Sequence, residues 1–187
     1  VAKEIEKRVE AQGVHLMFGV TIDHMEQENG EKTAVLTDGS RIPADIVGLC
    51  IGTRAITETV QGEVEIGRGI VVDDHMRTSV PGIFAAGDCC EGNNLESGQN
   101  QIIGLWANAN HQGETAGINM AGGVMAYKGN ILHNITHFMN MDFIGFGDNR
   151  MQGEILEYGS LSEDLYIRLV IDGKRIVGAN ILDNYRV

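Results

Sequence analysis

The spacing of apolar and polar residues predicts two helices. Near the start of the chain, Val1, Ile5 and Val9 recur at every fourth position, which is typical of an amphipathic helix, and Gly13 ends the pattern. A second helix is predicted within residues 101–120, where apolar and small residues again recur at helical spacing. The residues expected to share one side of this second helix are Leu105, Ala109, Gln112 and Ala116.

Most of the remaining chain is predicted to form short strands joined by turns. Asn29 and Gly30 are the residue pair favoured in tight hairpins, and they separate strand-like segments at residues 21–27 and 33–37. Apolar runs predict further strands at residues 14–18, 46–51, 69–72 and 83–86. In the last third, strands are predicted at residues 131–138, 142–146, 155–158, 165–171 and 175–182, with a hairpin turn at Asp172-Gly173.

Residues 77–88 combine a turn, an apolar run and a carboxylate. Val-Pro-Gly at residues 80–82 predicts the turn, and small residues end the apolar run just before Asp88. This carboxylate is expected at the carboxyl end of a strand, where open α/β sheets bind their ligands. An isolated Gly-Asp pair is more often turn punctuation, so the flanking residues decide between the two interpretations.

The flanking residues favour a ligand site. Residues 69–73 followed by residues 77–88 resemble the second FAD-binding signature of the FAD-dependent pyridine nucleotide-disulfide oxidoreductase family. The resemblance implies that Asp88 accepts a hydrogen bond from a hydroxyl of the flavin's ribityl chain. It also implies that Gly87 gives the cofactor backbone clearance and that Thr78 lies at the start of the signature.

An earlier segment, residues 21–54, resembles the second half of the NAD-binding domain of the same family. In that domain a meander is followed by a return strand that ends in a loop containing glycine, here Gly52. The resemblance implies that residues 46–54 border the nicotinamide site. The family's proline after this loop is absent, and Ala55 and Ile56 stand in its place.

The start of the second predicted helix is a candidate for a further contact with flavin. Unpaired N–H groups and the helix dipole favour an anion at a helix amino terminus, and Gly104 permits close approach of the backbone. By resemblance to the family, the backbone at Leu105 and Trp106 would contact the pyrimidine edge of the flavin. A tryptophan here is similar to reductases that supply ferredoxin-like or rubredoxin-like carriers, although a lone tryptophan is as often a core or interface anchor.

Composition and charge restrict the classes of partner. The 187 residues are 43% hydrophobic, which is enough for a core in one or two domains. With 14 basic and 26 acidic residues, the formal net charge is −12, which disfavours nucleic acid and anionic membranes. Apolar runs are far shorter than the roughly 20 residues that span a bilayer, and no signal peptide is recognised, so a cytoplasmic location is expected.

Cysteines and histidines carry no predicted chemistry. Cys50 lies in the apolar run at residues 46–51 and is expected to be buried in a strand. Cys89 and Cys90 are adjacent, a spacing that strains a disulfide, and no Cys-x-x-Cys motif occurs. His133 and His137 would share one face of a strand, but without further ligands at suitable spacing no metal site is predicted. Catalytic residues remain unassigned.

The chain contains no Gly-x-Gly-x-x-Gly turn, which both cofactors require for their pyrophosphates. The resemblance therefore predicts the carboxyl-terminal half of a longer enzyme with an α/β fold: partial NAD- and FAD-binding Rossmann-like domains followed by a small α+β interface domain. The expected boundaries are residues 1–57 for the NAD(P)-binding part, 58–124 for the FAD-binding part and 125–187 for the interface part.

The function implied by the resemblance is hydride transfer from NADH or NADPH to FAD, and then electron transfer to an acceptor. The acceptor would be a small redox protein or a small molecule, and a homodimer is possible. The alternative is a binding or dimerisation module without activity, because the pyrophosphate loops are absent. An unrelated α/β protein with a chance Gly-Asp loop is the third interpretation.

Overall fold

The computed structural model describes residues 2–138, 141–148, 152–163 and 165–183. The chain divides into two compact units, Val1–Thr53 and Arg54–Val187, which are treated separately below. Among the described residues, no helix combines the length and the apolar character that a bilayer span requires.

The first unit consists of one helix and a three-stranded antiparallel sheet. Helix α1 spans Ala2–Ala11, with a salt bridge of 2.9 Å between Arg8 and Glu4 on one side. Asn29 and Gly30 both have positive φ, 51° and 89°, and they form the predicted tight hairpin. The strands are β1 (Ile22–Glu28), β2 (Glu31–Leu36) and β3 (Arg41–Pro43), in the order β1-β2-β3.

Two strands predicted in this unit are not formed. Residues 14–18 and 46–51 have irregular backbone, and Phe18, Ile46 and Ile51 are exposed. A strand buried on both faces needs hydrogen-bonded neighbours and covering elements, and no described strand pairs with either run. The expectation of a buried strand, with Cys50 inside it, is therefore wrong for this structure, and the Cys50 thiol is exposed.

The first part of the second unit has an irregular backbone around an apolar core. The segments predicted as strands at residues 69–72 and 83–86 form only isolated bridges, Ile70 with Ile66 and with Cys90, and Phe84 with Arg77. A short 3₁₀ helix spans Glu58–Val60, and a minimal sheet pairs β4 (Gly92–Asn93) with β5 (Asn100–Gln101). The core cluster of this unit contains Val64, Ile70, Val72, Met76, Ala85, Cys90, Ala116 and Tyr127.

Helix α2 spans Trp106–Met120 and packs a largely polar face inward. Of the side predicted from spacing, Gln112 and Ala116 are buried, whereas Leu105 and Ala109 are only half-buried. The buried residues of the helix are Asn108, Gln112, Thr115, Ala116 and Asn119. The sequence therefore predicted part of the buried side of α2 correctly, but it did not predict that most of the buried residues would be polar.

Replacing Gly113 with alanine is expected to stabilise α2. A Cβ at this exposed helical position meets no atom within 4 Å, and alanine restricts the unfolded chain more than glycine does. The free energy of unfolding should rise by about 0.5 to 1 kcal/mol. Urea denaturation followed by circular dichroism measures the change, and an unchanged or lower midpoint would contradict it.

The last part of the second unit is a five-stranded antiparallel sheet, formed by the short strands predicted in the last third of the chain. Its strands are β6 (His133–Phe138), β7 (Met141–Gly147), β8 (Glu154–Ser160), β9 (Leu165–Asp172) and β10 (Arg175–Asp183), in the order β6-β7-β10-β9-β8. Asp172 pairs with Arg175 across the predicted hairpin, in which Gly173 has a φ of 60°. Buried Met141, Val170 and Leu182 anchor the sheet.

Candidate functional site

The segment before Asp88 begins with a turn that Thr78 holds closed. The N–H of Thr78 donates to the carbonyl of Ile83 at 3.0 Å, and the N–H of Ile83 donates back to Val80 at 3.2 Å. The Thr78 hydroxyl also donates to the Ile83 carbonyl, at 3.0 Å. Gly82 supplies the positive φ, 85°, that this turn requires. The bonds of Thr78 therefore shape the start of the candidate site.

A second tight turn presents the carboxylate of Asp88 to solvent. Gly87 has a φ of 84°, in the left-handed region that favours glycine. Its carbonyl accepts a hydrogen bond from the N–H of Cys90 at 3.1 Å, and its N–H donates to Oε1 of Gln112 at 2.8 Å. Asp88 is exposed, so its charge remains available to a ligand.

The start of α2 lies beside this carboxylate. A Cβ built on Gly104 would be 3.9 Å from Oδ2 of Asp88, so the segment that leads into the helix passes close to the acid. The N-cap residue Leu105 provides no side-chain cap, and its own N–H already donates to the Ile103 carbonyl at 2.8 Å. The available helix amides therefore begin at Trp106.

Trp106 is not a core residue. Its side chain is 90% exposed at the first position of α2. Of the two interpretations that the sequence left open, burial in the core of this unit is excluded by this exposure. An exposed indole at the first position of α2 offers an open apolar surface that suits a flat aromatic ligand.

Sequence reasoning missed the polar network behind this surface. The Asn108 side chain donates to the Ile103 carbonyl at 2.9 Å, and the Tyr127 hydroxyl donates to Asn108. Burial raises the pKa of Tyr127 to about 12, which keeps this hydroxyl a donor. Polar residues at helical spacing, Asn108, Gln112, Thr115 and Asn119, were the available signal for the network.

The adjacent cysteines Cys89 and Cys90 are both free thiols in this structure. Cys90 is fully buried, and burial, followed by the nearby Cys89, Glu91 and Asp88, raises the pKa of its thiol to about 12. A thiol with so high a pKa stays protonated at neutral and mildly alkaline pH, and it is therefore a poor nucleophile.

Thiol labelling should separate the cysteines. Iodoacetamide at mildly alkaline pH is expected to modify the exposed Cys50 rapidly and to leave Cys90 unmodified until denaturant is added. Peptide mass spectrometry of the native and unfolded protein measures both rates. If Cys90 in the native protein were labelled as fast as Cys50, the prediction that Cys90 is protected by burial would be wrong.

Three residues of types that bind metal ions lie together in one turn and form hydrogen bonds within it. Asp73, Asp74 and His75 bring three possible ligand atoms within 4.8 Å, a cluster that spacing alone did not predict. One carboxylate oxygen of Asp73 accepts the N–H groups of His75 and Arg77, and Nδ1 of His75 lies 2.6 Å from the Asp74 carboxylate. These contacts explain the cluster as a local turn.

Gly52 lies in the first unit, beyond the irregular run at residues 46–51. It is exposed and has a φ of 106°, so the backbone there adopts a conformation that other residues rarely reach. The structure of the first unit therefore agrees with a glycine-dependent loop at this position.

The profile described as pyridine nucleotide-disulphide oxidoreductase matches residues 1–113, more than half of the chain. The chain belongs to the pyridine nucleotide-disulphide oxidoreductase family. The family resemblance read from residues 69–88 is thereby confirmed.

Individual members of the pyridine nucleotide-disulphide oxidoreductase family extend the comparison. An NADH oxidase of Enterococcus faecalis is 34% identical over 128 residues, covering 67% of this chain and 29% of the oxidase. A rubredoxin-NAD(+) reductase of Pseudomonas putida is 36% identical over 98 residues, covering 50% of this chain and 25% of the reductase.

Among solved structures, an FAD-dependent pyridine nucleotide-disulphide oxidoreductase from Desulfovibrio vulgaris matches with a TM-score of 0.84 at 25% identity. The match covers 97% of this chain and 48% of that protein. The chain thus spans less than half the length of each of these three family members.

Proposed function

We propose that this chain supplies part of the FAD site of a flavoprotein oxidoreductase that takes hydride from NADH or NADPH and passes electrons to an acceptor. The observation that carries the proposal is the exposed carboxylate of Asp88 beside the uncapped start of α2. A carboxylate and free helix amides are complementary to the two kinds of group that a flavin offers, hydroxyls on its ribityl chain and electronegative atoms on its ring.

The residues present fit a flavin. Asp88 would accept a ribityl hydroxyl, and Gly87 would let the ribityl chain approach the backbone closely, because the space on its Cβ side contains only Ala109, at 3.7 Å. The exposed indole of Trp106 would offer an apolar surface to the ring. Thr78 contributes by holding the turn that leads to this site, since its hydroxyl is already bonded within the turn.

The amides at the start of α2 would stabilise negative charge on the pyrimidine edge of a bound flavin. Leu105 provides the N-cap backbone, and the free N–H groups begin at Trp106. A helix amino terminus favours an anion by about 0.3 to 1 kcal/mol at exposed sites and by up to about 2 kcal/mol when partly buried. Bound FAD supplies the hydride acceptor.

The first unit carries the nicotinamide side of the same proposal. Residues 1–57 form the second half of a Rossmann-like NAD(P)-binding domain, in which Gly52 and residues 46–54 border the nicotinamide. Residues 58–124 form the carboxyl-terminal part of the FAD-binding domain, and residues 125–187 form an interface domain. This division rests on the order of motifs along the chain.

The acceptor is proposed to be a small redox protein or a small molecule. The rubredoxin-NAD(+) reductase relative and the exposed Trp106 favour a protein carrier, and the NADH oxidase relative favours a small molecule. The cytoplasm is the proposed location.

Colour tests the proposal. The intact protein that contains this chain should purify yellow, and its flavin absorbance should bleach when NADH or NADPH is added without oxygen. A protein that stays colourless after incubation with FAD would contradict the assignment.

A dimerisation module is the second candidate function, favoured by exposed apolar side chains on the edge strand β8. Leu156 and Tyr158 share one face of this strand and Ile155 lies on the other, and all three are exposed. Apolar side chains grouped on an edge strand are a common feature of interfaces between subunits. A colourless protein that elutes as a dimer in gel filtration with light scattering would support this function instead.

A further inference from the structure

We propose that Gln112 is a positioning residue, which ties the turn carrying Asp88 to helix α2 and so sets the spacing of the two halves of the flavin contact. The inference rests on the proposed function and deepens it. It assigns a role to a buried amide that lies outside the surface offered to the cofactor.

The contacts of Gln112 are with the turn. Its side chain is fully buried, and its Oε1 accepts the N–H of Gly87 at 2.8 Å and the thiol of Cys90 at 3.5 Å. Both donors flank Asp88. This amide is the group of α2 that bonds the backbone immediately before the acid, 25 residues away in sequence.

The bond is one that Gly87 needs. Gly87 is half-buried, and a backbone donor that is buried without an acceptor costs the full penalty of its desolvation. If Gln112 no longer accepts, the turn is free to rotate this N–H toward another acceptor, and Asp88 moves with it. The free amides that begin at Trp106 belong to α2. Without the bond from Gln112, the helix no longer fixes the distance between these amides and the Asp88 carboxylate.

Gly92 provides the room that this arrangement requires. A Cβ at Gly92 would overlap Nε2 of Gln112 and lie 3.1 Å from the Tyr127 ring. Within the described part of the chain, this Nε2 has no hydrogen-bond partner, so only Oε1 holds the amide in place. Gly92 therefore lets the Gln112 side chain reach the turn. Alanine at position 92 would displace the Gln112 amide without removing any atom of Gln112.

The test uses the intact protein with Gln112→Met, which keeps length and bulk but removes the acceptor. Hydrogen exchange of the peptide containing Gly87, measured without FAD, should become faster. FAD affinity, measured by quenching of flavin fluorescence, should fall by roughly tenfold, the expected effect of one buried hydrogen bond. Gln112→Glu retains an acceptor oxygen and should restore part of the affinity.

Thr115→Val is the matched control. Thr115 is as deeply buried on the same face of α2, but its hydroxyl donates to the His111 carbonyl of its own helix, at 2.8 Å, and not to the turn that carries Asp88. The valine variant should lower the midpoint of unfolding without changing FAD affinity or exchange at Gly87. This contrast separates positioning from a general loss of stability.

The outcomes distinguish this inference from the proposed function. If the unmodified protein binds no FAD, the proposed function fails, whatever Gly87 exchange shows. If it binds FAD and Gln112→Met binds equally well with unchanged exchange at Gly87, the inference is overturned alone. Should the methionine variant not fold, Gly92→Ala, with Gly113→Ala as its control, replaces it: weaker FAD binding and faster exchange support the inference, and wild-type values refute it.

Discussion

Replacing Asp88 with alanine is expected to remove most bound FAD from the intact protein without unfolding it. The carboxylate is exposed, so we expect its loss to affect the ligand and not the core. Hydrogen bonds to charged groups contribute about 1.5 to 3 kcal/mol, which corresponds to roughly ten- to 150-fold weaker binding. The ratio of flavin to protein after gel filtration measures the change.

Two further variants test whether the loss of FAD is caused by the loss of the Asp88 carboxylate. Asp88→Asn keeps an acceptor oxygen but removes the charge, and it should retain intermediate affinity. Glu154→Ala, at an exposed position of β8 in the same unit, removes the same charge far along the chain and should bind FAD normally. If Asp88→Ala retained the flavin content of the unmodified protein, the assignment of Asp88 would be wrong.

The sequence predicted the antiparallel parts of the fold best. Hairpins are local, so Asn29-Gly30 and Asp172-Gly173 each fix a turn and the register of two strands. Residues 46–51 fail for the opposite reason. A continuous apolar run becomes a strand only when neighbouring strands and covering elements exist, and the described part of the chain supplies neither.

The parts of the candidate site that depend on local backbone conformation could be predicted from the sequence. The Gly87-Asp88 turn and the start of α2 both follow from glycine and spacing signals within a few residues. Gln112 could be placed on the inner side of its helix, but its partner could not be named. The Gly87 N–H that it accepts is 25 residues away, and a polar residue at a core position reveals its function only when its partner is known.

The second large effect is expected from Asn119→Leu. Nδ2 of Asn119, which carries two hydrogens, lies 2.7, 2.8 and 3.1 Å from the carbonyl oxygens of Met125, Thr115 and His75, and Oδ1 accepts the N–H of Met125 at 3.0 Å. Leucine fills similar space but removes these bonds, including both bonds to the backbone of Met125. The free energy of unfolding should fall by about 2 to 4 kcal/mol.

Asn110→Leu is the matched control, because Asn110 lies on the exposed side of the same helix and leucine favours helix slightly more than asparagine does. It should leave stability unchanged or marginally higher. Urea denaturation followed by circular dichroism measures both variants, and an unchanged slope confirms that the midpoints report stability. Asn119 joins the end of α2 to the segment that carries Tyr127, whose hydroxyl donates to Asn108 near the start of the helix. Asn119→Leu should therefore also weaken FAD binding. If the two leucine variants were equally stable, the hydrogen bonds of Asn119 would contribute nothing to the stability of the fold.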